Sequence, residues 1–136
     1  MNKFELSPAF YIGHENIDRD HKELVVILNA MIDACQNKDI SVCKKLWTEF
    51  YKKMQKHFEY EEQIQTEFRF EKVSEHRARS TEILHNIKKL SENAVDIDDW
   101  CKCIEEVFHN LMPFILRNDL PFAEHLHAIK HARRDD

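Results

Sequence analysis

Apolar residues recur at steps of three and four along four stretches of the chain, the periodicity of amphipathic helices rather than strands. Ile17, His21, Leu24, Leu28, Met31 and Cys35 trace one face, with Asp18 the expected cap where the pattern begins. Asn37-Lys38-Asp39 breaks it, and Ser41 is placed to cap a second helix whose inward stripe is Leu46, Phe50, Met54, His57 and Glu61. Ser74 opens a third stripe of His76, Ser80, Ile83, Ile87 and Leu90. Asp96 or Asp98 caps the fourth, which reads Trp100, Ile104, Val107, Leu111 and Phe114. Pro113 falls inside that pattern, so it should kink the helix or remove a backbone hydrogen bond near residue 109. Leu120 precedes Pro121, which sets the end of the fourth helix by Asp119. These stretches predict an all-α fold, an up-down-up-down antiparallel four-helix bundle over 18–119. Residues 1–17 read as an N-terminal arm anchored by Phe4, Phe10, Tyr11 and Ile12, and 120–136 as a tail with a short helix.

Composition narrows the class without changing that picture. At 136 residues the chain suits one domain, and 43% hydrophobic residues suffice for a core. One Gly and three Pro leave too little turn chemistry for a sandwich or barrel. No apolar run approaches the roughly 18 residues of a membrane span, and the start Met-Asn-Lys-Phe-Glu is no signal peptide. A formal net charge of −5 gives no basic footprint for nucleic acid. The expectation is a cytoplasmic protein with neither a membrane nor a nucleic-acid partner. Four cysteines occur without a Cys-x-x-Cys, and Cys101 and Cys103 point about 200° apart on a helix. All four are therefore expected as reduced, buried or half-buried thiols.

Candidate chemistry lies where the stripes stop being apolar. His21, His57, Glu61, His76 and Ser80 all fall in phase with core positions. A lone histidine on an apolar face is usually a satisfied core residue. Five polar intrusions on three helices are another matter, because each unpaired buried polar group costs about 1–3 kcal/mol. A buried Glu61 beside histidines wants a cation, and His57 and Glu61, spaced i,i+4, can reach one interior point. His85 and His109 fail the phase test and should face solvent. His127 and His131 form a weak i,i+4 pair near the tail, while His14 and His125 are undecided by sequence.

With these residues in view the chain resembles the hemerythrin family, specifically the bacterial hemerythrins. The matching segments run from Phe10-Tyr-Ile-Gly-His through Ile17-Asp-Arg-Asp-His21-Lys-Glu-Leu to His57-Phe-Glu-Tyr-Glu61-Glu. They continue with His76, and with Phe114-Ile-Leu-Arg-Asn-Asp119 where the family has His-Ile-x-x-x-Asp. The resemblance implies a pair of irons bridged by Glu61 and Asp119. It gives His21 and His57 to the iron that binds dioxygen, and His76 to the other. Two ligand positions of that second iron are substituted, by Ser80 and Phe114, so five of seven remain. Two histidines and two carboxylates still suit one Fe(II), or tetrahedral Zn(II).

The resemblance thus implies a non-haem iron protein, holding one metal rather than two, that senses, binds or stores oxygen, iron or redox equivalents, with dioxygen or another small diatomic as ligand. Two alternatives stand beside it. One is a decayed pocket serving as an interaction module, and the other a mononuclear iron enzyme acting on oxygen or peroxide. No nucleophilic triad, phosphate loop or nucleotide motif supports other catalysis, so the chain is not expected to be an enzyme.

Overall fold

The computed structural model describes residues 2–135, with side chains through Lys130, and among them the regular structure is all helical. The first long helix, α1, spans Glu15–Gln36, and His14 caps it, its Nδ1 accepting from the Ile17 N–H at 3.4 Å. It therefore starts three residues before the expected cap. Asp18 has a different task, accepting from the N–H groups of Ile12 (2.7 Å) and Gly13 (3.2 Å). That pins the preceding turn, in which Gly13 adopts φ +89°, a conformation that favours glycine. Before it, Ser7 caps a single 3₁₀ turn, Pro8–Phe10. The Phe4 ring packs edge-on against Phe108, 5.6 Å between centroids.

The second helix, α2, spans Ile40–Glu67, and its cap is Asp39 rather than Ser41. Cys43 and Trp47 join Phe50, Met54, His57 and Glu61 on its buried face, while Leu46 is half-buried. Helix α3, Val73–Ser91, starts one residue before Ser74 and has no side-chain cap. Helix α4, Ile97–Glu106, opens with a capping box in which Asp96 and Asp99 each accept from the other's backbone N–H.

The fourth stripe then departs from the straight-helix expectation. Val107–Leu111 forms a π-turn, with the Met112 N–H bonding back to the Val107 carbonyl, before α5 resumes at Met112–Asn118. A π-turn accommodates one extra residue, so every side chain beyond it is displaced by one position around the axis. Val107, Met112, Ile115, Leu116 and Asp119 are buried, whereas Leu111 is half-buried and Phe114 is 45% exposed. Phe114 therefore does not line the interior as its phase predicted. Pro113 explains the break: in a continuous α-helix its ring would press on the His109 carbonyl, and its missing N–H would leave a gap in the ladder. Helix α6, Leu120–Asp135, follows at once and is longer than the short tail helix expected.

Two apolar clusters hold the helices together. The main core gathers residues such as Leu28, Met31, Phe50, Ile87 and Ile104. A smaller one joins Ile12 and Ile17 to Ile64, Phe70, Phe122 and Leu126, tying the N-terminal segment and α6 to the ends of α1 and α2. Cys35 and Cys101 form a disulfide between the last turn of α1 and the middle of α4, their Cα atoms 5.6 Å apart. This corrects the expectation of four thiols; Cys43 and Cys103 remain free and buried. Among the described residues no helix is long and apolar enough to cross a membrane.

Candidate metal centre

Between the two apolar clusters lies a layer of polar side chains. On α1, His21 falls between Ile17 of the small cluster and Leu24 of the main core. On α2, His57 and Glu61 fall between Met54 and Ile64; on α3, His76 precedes Ile83; and Asp119 separates Leu116 from Phe122. Helical spacing brings His21, His57, Glu61 and His76 to a common depth on α1, α2 and α3, and beyond the π-turn Asp119 reaches the same depth from the end of α5. All five are buried, as is Ser80.

One donor atom from each of His21, His57, Glu61 and Asp119 lies within 4.8 Å of the others. The two imidazole Nε2 atoms are 3.1 Å apart. His21 Nε2 is 3.0 Å from Asp119 Oδ2, and His57 Nε2 is 2.8 Å from Glu61 Oε2. Although these contacts are short, Glu61 Oε2 and Asp119 Oδ2 make no hydrogen bond of acceptable angle, and neither does His21 Nδ1. The two imidazoles share one hydrogen bond, Nε2 to Nε2, and the inward carboxylate oxygens are left without one. That arrangement suits lone pairs aimed at a shared cation better than a self-contained hydrogen-bond network. Two imidazole nitrogens and two carboxylates make a donor set that fits Fe(II) or Zn(II).

The other oxygens of the same carboxylates face His76. Its Nε2 is 2.7 Å from Asp119 Oδ1 and 3.5 Å from Glu61 Oε1. Glu61 and Asp119 thus each turn one oxygen to the His21/His57 side and one to the His76 side. On that second side Ser80 does not reach the carboxylates: its hydroxyl donates to the His76 carbonyl at 2.9 Å and lies 3.4 Å from His76 Nδ1. Phe114, exposed on the outside of α5, contributes nothing there.

Sequence reasoning missed three residues around the centre. Asp20 Oδ2 lies 3.1 Å from His57 Nδ1, and Glu62 Oε2 lies 3.4 Å from His76 Nδ1. Asp20 thus backs His57 by a hydrogen bond, fixing its ring orientation and raising its basicity, whereas Glu62 is only an ion-pair neighbour of His76, whose Nδ1 has its hydrogen-bond partner in Ser80 Oγ at 3.4 Å. Lys53 bridges Asp20 and Glu23 on the outside. Gln65, fully buried, reaches Glu61 Oε1 with its Nε2 at 3.5 Å. The available signal was adjacency, since Asp20 precedes His21 and Glu62 follows Glu61. Among the remaining histidines, His85 and His109 are exposed as expected, and His125 Nε2 is 2.7 Å from the Phe68 carbonyl. His127 is exposed, and the side chain of His131 lies outside the described residues.

Electrostatics follow from this packing. Burial works to lower the pKa of His57, but Asp20, Glu61 and Asp119 outweigh it and raise the group to about 10. For His76, burial is likewise overcome by Asp119, Glu61 and Glu62, which raise it to about 11. Asp119 is held below the usual carboxylate range: burial alone would raise it, and His21 and His76 overcome that. Asp20 is also lowered, chiefly by His57. Without a cation, His57 and His76 thus pair as imidazolium with the carboxylates around them, and a cation must displace their protons to enter.

Residues 12–128 match the family model described as Hemerythrin HHE cation binding domain. No curated protein matches the chain.

Proposed function

Because the chain belongs to the hemerythrin HHE cation-binding family, we propose that it binds non-haem iron in an up-down-up-down bundle and serves oxygen, iron or redox sensing, binding or storage. The convergence of four buried donor atoms from His21, His57, Glu61 and Asp119 carries this reading. Those four residues would hold one ion, with zinc able to satisfy the same set. His76 would hold a second only with the far oxygens of Glu61 and Asp119, because Ser80 and Phe114 supply no donor. A bound ferrous ion supplies an electron-donating centre for dioxygen or another small diatomic. The chain's own part is to neutralise the cation with two carboxylates, orient His57 through Asp20 and His76 through Ser80, and exclude water with the two apolar clusters. This is a binding protein rather than an enzyme. A cytoplasmic location belongs to the same reading, with the Cys35–Cys101 bridge then forming under oxidising conditions.

Metal analysis of protein purified without chelator from iron-supplemented cells tests it, with about one iron per chain expected. Two irons with oxo-bridge absorption would overturn the single-ion assignment. No metal, together with a thermal midpoint indifferent to iron, would favour a decayed pocket acting as an interaction module. Peroxide turnover beyond that of free iron would favour a mononuclear iron enzyme.

A further inference from the structure

The outer oxygens of the two bridging carboxylates are not free in the way the inner ones are. Asp119 Oδ1 has His76 Nε2 at 2.7 Å, and Glu61 Oε1 accepts from Gln65 Nε2 at 3.5 Å. The inner oxygens, Asp119 Oδ2 and Glu61 Oε2, accept no hydrogen bond. Each carboxylate therefore has one oxygen covered by an N–H group and one left bare. A histidine covers Asp119, with its Nε2 also 3.5 Å from Glu61 Oε1, whereas Glu61 takes its hydrogen bond from a neutral amide.

Gln65 lies one turn beyond Glu61 on α2 and is fully buried. Its Oε1 has no hydrogen-bond partner, so the fold carries the cost of a half-satisfied amide at this position. Glu61 fixes which way that amide faces. The opposite orientation would set two acceptor oxygens against each other and strand the N–H groups instead. We infer that Gln65 is a positioning residue that makes Glu61 a one-sided ligand: its amide holds Oε1, so that Oε2 alone is offered to a cation, and with His76 on Asp119 it limits the centre to one ion. This rests on the metal-binding reading above, although the amide–carboxylate bond belongs to the metal-free chain. A carboxylate spans two cations only by giving each of them a lone pair from a different oxygen. An N–H group already directed at Oε1 opposes the second cation, because the positive end of its dipole lies where that cation would have to approach. The same bond steadies the carboxylate plane and keeps Oε2 on the His57 side, 2.8 Å from that ring.

Gln65→Met keeps the length of the side chain and removes the donor. Titrated with Fe(II) in the absence of air, it should bind its ion about tenfold more weakly than the parent. Infrared spectra with isotope-labelled glutamate carboxylates read the binding mode. The asymmetric and symmetric stretches lie far apart when one oxygen binds and draw together when both do, so their separation should narrow in Gln65→Met. Gln65→Glu replaces the donor by an acceptor of the same size and should take up a second Fe(II) per chain. Nuclear magnetic resonance in chelator reads the bond with no metal present: one Gln65 side-chain N–H proton should lie well downfield of the other, and Glu61→Leu should abolish the difference. A folded Gln65→Met with parental affinity would overturn the inference. So would a weaker ion with unchanged stretch separation, which is the mark of altered packing alone. Gln65 protons indifferent to Glu61→Leu, or two irons in the parent, would overturn it as well. Should Gln65→Met fail to fold, Gln65→Glu decides, with two ions supporting the limit and one overturning it. A parent that binds no iron while the Gln65 protons still answer to Glu61 would sink the metal reading and leave the amide–carboxylate bond standing.

Discussion

The two sides of the polar layer are built from the same bridging carboxylates but not from the same support. On one side His21 and His57 approach within 3.1 Å, and each has a carboxylate oxygen at 2.8–3.0 Å. On the other, His76 faces the second oxygens of Glu61 and Asp119 with no further histidine beside it, and Ser80 bonds only to His76 itself, at its carbonyl and its Nδ1. One side gathers the four donor atoms of a possible cation site; the other is a histidine attached to it. What the contrast teaches is that a side with a single histidine can keep its charge balance without a cation. His76, raised to about 11, stays an imidazolium and itself neutralises the spare carboxylate oxygens.

The strongest way to break this contrast is Glu61→Gln against His76→Ala. Glu61→Gln strips a donor from both sides, so bound metal should be lost. In the metal-free state it leaves His57 and His76 short of a counter-charge, at a cost of about 3–5 kcal/mol in denaturant unfolding. His76→Ala should keep the first ion, so equal metal loss in the two variants would show that the centre is one unit.

Next in size are the backing carboxylates. Asp20→Asn should weaken metal binding about 10–100-fold in a competition titration, because His57 loses the partner that fixes its ring. Glu62→Gln acts on His76 and should do less; the reverse order would place the tighter site on the His76 side.

The pH response sharpens the comparison further. His57 and His76, raised to about 10 and 11, stabilise the metal-free fold fully below the ordinary histidine range near 6.5. That contribution declines as pH rises and is gone once both have lost their protons. The thermal midpoint in chelator should therefore fall between neutral and strongly alkaline pH, while metal affinity rises over the same range. A metal-free midpoint that climbs across it would contradict the ion-pair account.

The smallest expected effect is itself informative. Phe114→His should leave metal content and affinity unchanged, because that side chain points to solvent. A second iron in this variant would mean the straight-helix register is the true one.

These cases also mark what could be read from the chain. The α2 stripe was legible because Phe50, Met54, His57 and Glu61 keep an unbroken helical step, and the same holds for His21, His76 and Ser80. Asp119 came only through the family motif, since no periodicity survives the π-turn to reach it. Phe114 was misplaced for that reason: a proline announces a disturbance but not its direction of rotation. Caps erred by competition between adjacent candidates, with Asp39 preferred to Ser41 and His14 freeing Asp18 for the turn at Gly13. Asp20 and Glu62 were invisible because they act from outside the stripe. Cys35 and Cys101, 66 residues apart, carry no spacing that would pair them.

That bridge has a topological consequence. It closes a hoop of covalent chain containing His57, Glu61 and His76, and leaves His21 and Asp119 on the two free arms outside it. Cys35 lies 14 residues beyond His21 along α1, some 21 Å of helix, so the clasp and the metal donors work at a distance. In the unfolded chain the hoop keeps the α2 and α3 donors tethered while the arms wander. On a chain-entropy account this favours the folded state by about 4 kcal/mol. Opening the clasp would cost the bundle that constraint without touching a single donor atom, so a change in thiol redox state would be felt at the metal only as a looser cage.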